Sequence, residues 1–278
     1  MITSITIGSV TISSYTGNYL FDTLSGFGSP DVKVSVKERG AYDGANLGNY
    51  NYGKRVFSIE GRVLGSTVND YVANRRALQK SLDLSDGLQT ISITTKDGLS
   101  LTFDAIVSGN IDMQYEAGQA VMSSFRIELT APYPFILGAT ENTETVPVHS
   151  GGGAEIPAEL PLEIGSGGTG DTTITNDGNG KAYPVVKIYG IIENPSITNN
   201  TRGEGLSITY TLSSSADYIE IDMYRRTVKL NGVTNIKQYV TGDFWVLDAG
   251  DNVIRLSAGS SGGGAQAEII YKDSYLGL

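Results

Sequence analysis

The feature that most constrains this chain is a period of two. Ile5 and Ile7 alternate with polar neighbours, Val32, Val34 and Val36 alternate with Asp31, Lys33, Ser35 and Lys37, and residues 56–63 read Val-Phe-Ser-Ile-Glu-Gly-Arg-Val. Successive side chains of an extended strand point to opposite faces, so this alternation reads as half-buried strands. A helix would need apolar residues three and four apart. One segment offers them, about Val68 to Leu82, where Tyr71, Val72, Leu78 and Leu82 fall near one stripe. Thr67 can cap it, with Asp70 three residues on as a weaker form of the capping box. Arg75, Arg76 and Lys80 occupy the rest of its surface and favour its C-terminal end. Such a helix closes one face or end of a β-domain.

Strands resume at Gln89–Thr95, turn at Lys96-Asp97-Gly98 into Leu99–Val107, and return at Val121–Leu129. Ala131-Pro132-Tyr133-Pro134 then stops regular structure, because proline cannot donate to a ladder and restricts the residue before it. The domain boundary is placed just beyond, giving domains 1–138 and 139–278. In the second half, short strands recur at Tyr183–Tyr189, Gly205–Leu212, Tyr218–Met223, Thr227–Leu230, Phe244–Leu247, Asn252–Leu256 and Ala265–Tyr271, with turn residues between them and no helix. That spacing is the signature of an antiparallel sandwich. The length, 278 residues, suffices for two cores, and 35 glycines with only 18% charged residues suit short strands and tight turns. Residues 40–53, rich in Gly and Asn, read instead as a long exposed loop. Tyr42, Tyr50 and Tyr52 stand in it as candidate interface anchors.

Side chains able to do chemistry are few. The formal net charge of -10 disfavours nonspecific binding to nucleic acid or anionic lipid. The absence of cysteine removes disulfides and thiolate metal sites. No apolar run approaches the ~20 residues of a spanning helix, so no membrane insertion is expected. The N-terminal residues Met1–Gly8 read as a strand rather than a secretory signal. His149, the single histidine, sits beside Ser150-Gly151-Gly152-Gly153 and reads as an ordinary loop residue. Asp104, Asp112 and Glu116 read as solvated surface acids rather than a glycosidase pair. Asp171, Asp177, Asp248 and Asp251 fall in Gly-rich turns without the alternating acids of a calcium loop. Gly165–Gly170 lacks the strand-to-helix setting of a phosphate cradle. No catalytic residue, cofactor-binding residue or metal ligand is assigned, and the chain is read as a non-enzyme. Trp245, bracketed by Phe244, Val246 and Leu247, reads as core.

The order of short motifs resembles a known family. The N-terminal half has Asn74-Arg75-Arg76-Ala77-Leu78 in its helix and Pro132-Tyr133-Pro134-Phe135 at its exit. The second half has Gly178-Asn179-Gly180, Tyr183-Pro184-Val185-Val186-Lys187-Ile188-Tyr189-Gly190, Asn194-Pro195-Ser196-Ile197, Ile219-Glu220-Ile221-Asp222, Val228-Lys229-Leu230-Asn231-Gly232 and Leu247–Ile254. Together they resemble the distal tail protein, or baseplate hub, of siphophages, most clearly over residues 178–256. The resemblance implies a mainly β fold: an N-terminal barrel-like β-domain with one α-helix and a C-terminal galectin-like antiparallel β-sandwich. It implies a structural protein of the virion tail tip, assembled in the bacterial host cytoplasm. It also implies a hexameric ring built through the N-terminal domain. The implied partners are the tail tube protein, a tail-tip hub or tail-associated protein, and a receptor-binding protein. The alternative reading is a carbohydrate-binding module or lectin-like adhesin, supported by the tyrosines, the sandwich and Trp245.

Overall fold

The computed structural model describes residues 1–40, 42–114, 118, 120–149, 170–262 and 264–278. The chain is mainly β and divides into two units. Met1–Ala139 together with Tyr275–Leu278 form the first, and Thr140–Ser274 the second.

In the first unit, seven strands close on themselves. Around the ring lie Gln89–Thr95, Ile2–Ile7, Val10–Ser13, Tyr19–Ser25, Arg55–Leu64, Met122–Ala131 and Ser100–Val107, and the last pairs again with the first. Closure rests on two short joints. Ser13 pairs in parallel with Leu20, and Leu129 and Thr130 pair with Val107 and Ile106. The period of two does its work inside this barrel-like sheet. Phe57, Ile59 and Val63 from one strand and Phe125, Ile127 and Leu129 from the next are buried, as are Ile5 and Ile7. Phe57 stacks on Phe103 with ring centroids 4.2 Å apart.

Among the described residues one α-helix forms, Val68–Ser81, and it covers this core with Tyr71 and Leu78. Its start follows the sequence: the Asp70 amide donates to Thr67 Oγ1 at 3.1 Å. The turn into it needs Gly65, since a Cβ there would lie 2.3 Å from the Tyr71 nitrogen. Asn74 Nδ2 donates to the Leu64 carbonyl at 2.8 Å, tying the helix to the strand before it.

The second unit has two main antiparallel sheets. One has six strands in the order Asn142–Pro147, Gln266–Tyr271, Val185–Tyr189, Tyr218–Asp222, Thr227–Leu230 and Thr234–Asn235. The other has five, Asp171–Asn176, Gly250–Ser257, Ser196–Asn199, Glu204–Ile208 and Val240–Gly242. Val186, Ile188, Ile219 and Ile221 from the first meet Ile197, Leu206, Ile254 and Leu256 from the second in one core, which makes the unit a β-sandwich.

Phe244–Leu247, expected as a strand, is not one; only Leu247 makes an isolated bridge, to Ala182. Three fully buried asparagines hold it instead. Asn199 Nδ2 donates to the Val246 carbonyl at 3.0 Å, and Asn176 Nδ2 to the Asp248 carbonyl at 3.3 Å. Asn252 Oδ1 accepts from the Asp248 amide at 2.9 Å while its Nδ2 donates to the Asp248 carbonyl at 2.8 Å. Buried polar groups must be paired, and here the pairing fixes an irregular segment in the core. Trp245 lies within it, fully buried.

The final residues also depart from the sequence reading, which gave all of 139–278 to the sandwich. Leu278 N–H donates to the Phe27 carbonyl at 2.9 Å, and the Leu276 carbonyl accepts from Arg55 Nη2 at 3.0 Å. These backbone groups find their partners in the first unit.

Candidate functional interface

Two strands stand apart from the barrel. Val32–Glu38 and Ala45–Tyr52 pair only with each other, and every side chain in both is exposed. The segment read as a loop at 40–53 is therefore the second strand of a hairpin, and Val32, Val34 and Val36 are strand residues without a buried face. The register explains what they form. Val32 lies opposite Tyr52, Val34 opposite Tyr50 and Val36 opposite Leu47. Directly opposed residues share a face, so these six side chains make one apolar surface. Lys33, Ser35 and Lys37 point the other way. Val32, Val34, Val36, Leu47 and Tyr50 are each between 50% and 70% exposed.

A bulge between Val34 and Val36 lets the pattern survive the odd spacing of Leu47 and Tyr50. Gly48 sits at it, where a Cβ would come within 3.1 Å of the Ser35 carbonyl oxygen. The turn is closed by the Arg39 amide on the Gly44 carbonyl at 3.3 Å and by Arg39 Nε on Asn46 Oδ1 at 3.0 Å. Of the three tyrosines named from the sequence, the structure places Tyr50 and Tyr52 on the apolar face and Tyr42 in the turn, 81% exposed. Tyr52 is the least exposed, at 38%, because its ring meets Phe135 edge-on with centroids 5.5 Å apart. The valines and Leu47 complete a surface of which the tyrosines are only part.

The acids weighed from the sequence are engaged separately. Asp104 accepts from Thr90 Oγ1 at 2.6 Å, and Asp112 from Gln114 Nε2 at 3.1 Å. Glu116 and the run 165–169 lie outside the described residues. Asp171 opens a strand rather than a turn. It pairs with Arg255 at 2.5 Å, and that hydrogen bond holds its carboxyl below the usual carboxylate range. Asp248 pairs with Arg202 Nη1 at 2.7 Å, and Asp251 accepts from Thr175 Oγ1 at 2.7 Å. Glu204 also binds Arg202, at 2.8 Å, which lowers its pKa. The His149 amide donates to the Leu256 carbonyl at 2.6 Å. No group of three or more Asp, Glu or His able to hold a metal ion occurs among the described residues.

The fold is thus a closed barrel-like β-sheet carrying a helix and an outstanding hairpin in one unit, and a β-sandwich in the other. Residues 177–275 match the family model described as the siphovirus-type tail component, C-terminal domain. The fold is similar to that of the SPP1 Dit (gp 19.1) protein, described as a paradigm of the hub adsorption apparatus in phages infecting Gram-positive hosts. The two are 12% identical, with 92% of this chain and 93% of that one covered and a TM-score of 0.62. A chain of the phage P2 baseplate in its activated conformation with Ca is 11% identical over 97% of both chains, with a TM-score of 0.41. No curated protein sequence matches the chain. The resemblance to the siphophage distal tail proteins, read above from scattered turn motifs, is borne out, and so is the mainly β class with a barrel-like sheet. What the family model marks as a siphovirus-type tail component is residues 177–275, which take in most of the second unit.

Proposed function

We propose that this protein is a structural component of the siphophage tail tip whose first unit forms a hexameric ring between the tail tube and the adhesion apparatus. The second unit, the galectin-like sandwich, is then the platform on which the next tail component docks. No catalytic role is assigned. The observation that carries the reading is the hairpin. A lone two-stranded sheet is marginal in water, and a one-sided apolar patch on it calls for cover. A second copy of the chain, laid head to tail around a ring axis, supplies that cover in the closed geometry a tail tube requires.

The test is imaging of purified protein by negative stain, with and without a Val34→Lys/Tyr50→Lys double substitution. Six-fold rings are expected from the wild type alone. Both side chains are exposed, so the variant should keep its melting temperature. In the ring, amides of residues 32–52 should exchange more slowly than in the free chain. Rings formed equally by the variant would refute the hairpin's part, and a tail-tip structure with this protein in an open arrangement would refute the ring.

The saccharide-binding alternative keeps one observation in its favour. Tyr189 and Tyr218 lie side by side on the six-stranded sheet, centroids 5.5 Å apart, with Lys187 Nζ 5.6 Å from the Tyr218 ring. Glycan-array binding that is lost on Tyr218→Ala would favour it. Trp245, buried in the core, offers it nothing.

A further inference from the structure

The strands Tyr218–Asp222 and Thr227–Leu230 are joined by a turn bearing Tyr224, Arg225 and Arg226, closed by the pair Asp222 and Thr227. Arg226 holds a left-handed backbone, φ 54°. Side chains with a Cβ disfavour this region, and Gly or Asn is the usual occupant. Among the described residues only two other non-glycine residues have positive φ, and both are asparagines, Asn194 and Asn231. An arginine thus stands where glycine or asparagine would make the same turn with less strain, and an outlier of this kind points to use of the side chain. None of the ion pairs among the described residues employs Arg226.

Its neighbours suit the same use. Arg225, its side chain 78% exposed, already holds one carboxylate, Asp222, at 3.0 Å. Tyr224 is 51% exposed and meets Tyr183 edge-on, centroids 5.3 Å apart. Burial raises the pKa of the Tyr183 hydroxyl, and the charges of Arg226 and Arg202 act on it in the opposite sense. Tyrosine and arginine dominate the energetics of protein interfaces. On a chain of net charge -10 this tip is a local reversal of sign.

We propose that the tip is the docking point for an acidic protein segment. Arg225 and Arg226 take carboxylates, and the Tyr183–Tyr224 pair takes an apolar side chain beside them. This rests on reading the second unit as a docking platform and names the chemistry of what docks. A short acidic segment feels the local field. An extended polyanion such as nucleic acid also meets the acidic remainder of the chain.

Calorimetric titration of the full chain with a synthetic Glu/Leu peptide, and with a single-stranded oligonucleotide of equal charge, tests it. Saturable, salt-sensitive peptide binding is expected, weakened about five-fold by Arg226→Gly, as for loss of one exposed charge contact, and retained by Arg226→Lys. Because glycine relaxes the left-handed backbone, Arg226→Gly should also melt about 2–4 °C higher. Three results would each overturn the proposal: no peptide binding by the wild type, equal affinity in Arg226→Gly, or tighter binding of the oligonucleotide. Ring formation is read on the same samples. Rings without peptide binding sink this inference alone, and peptide binding without rings sinks only the ring.

Discussion

Arg55 offers the sharpest test of how the first unit is held together. It is 2% exposed and makes no ion pair among the described residues. Its guanidinium instead donates to four backbone carbonyls: Nε to Gly26 at 2.8 Å, Nη1 to Pro134 at 3.1 Å, and Nη2 to Leu276 at 3.0 Å and to Gly28. Its Cζ also lies 5.2 Å from the centre of the Phe57 ring. Burial pushes its pKa down to about 10, which still leaves it charged at neutral pH. A shift of that size corresponds to a charging penalty of about 3 kcal/mol. Four charge-assisted hydrogen bonds at about 1.5 kcal/mol each more than offset it.

Arg55→Met removes both contributions and strands part-buried carbonyls, at up to about 1–3 kcal/mol each. The expected net loss is about 3–5 kcal/mol, a large share of the ~5–15 kcal/mol of a typical domain. Deleting residues 276–278 removes the Leu276 acceptor and the Leu278 bond to Phe27, so it should cost less, about 1–2 kcal/mol. The assay is urea denaturation followed by amide exchange on peptides of the first unit. The single tryptophan reports the second unit, not this one. An Arg55→Met midpoint equal to wild type, or a tail deletion costlier than Arg55→Met, would refute the reasoning.

Two further outcomes are expected. Trp245→Ala empties a fully buried site in the sandwich core and should lower stability by about 3–5 kcal/mol, read by calorimetry; an unchanged melting temperature would contradict its core role. Asp171 and Glu204 have folded pKa values held below their usual ones by Arg255 and Arg202. Their contribution is therefore present above the unfolded pKa values of about 4 and lost as pH falls through the lower folded values. Melting temperature should drop on acidification below about pH 4, and Arg255→Met should flatten part of that slope.

Much of the architecture was legible because alternation and capping are local. Thr67 announced the helix start, and Phe57, Ile59 and Val63 announced a buried strand face. The polar core of the sandwich was not. Asn199 reaches Val246 across 47 positions, and Asn176 reaches Asp248 across 72. Periodicity carries no trace of bonds over such spans, so Phe244–Leu247 looked like one more apolar strand. The motifs that carried the family resemblance take part in this clamp: the Gly178 amide donates to Asn176 Oδ1 at 3.2 Å, and Asn252 braces Asp248 and Gly250.

The hairpin shows the other limit of such reading. Alternation at Val32, Val34 and Val36 specifies a strand with an apolar face, but it does not specify whose core that face enters. A strand folded onto its own domain and one awaiting a second chain carry the same pattern, because the covering surface lies elsewhere. The partner strand concealed itself for a related reason. Gly44, Asn46, Gly48, Asn49 and Asn51 have poor strand propensity, so little intrinsic preference holds Ala45–Tyr52 extended. It is held by the ladder to Val32–Glu38 and by the bulge at Gly48. A strand so weakly specified by its own residues, with no core beneath it, gains its missing stabilisation from contact. That is why the apolar face of this hairpin, rather than any single tyrosine on it, is where the ring proposal stands or falls.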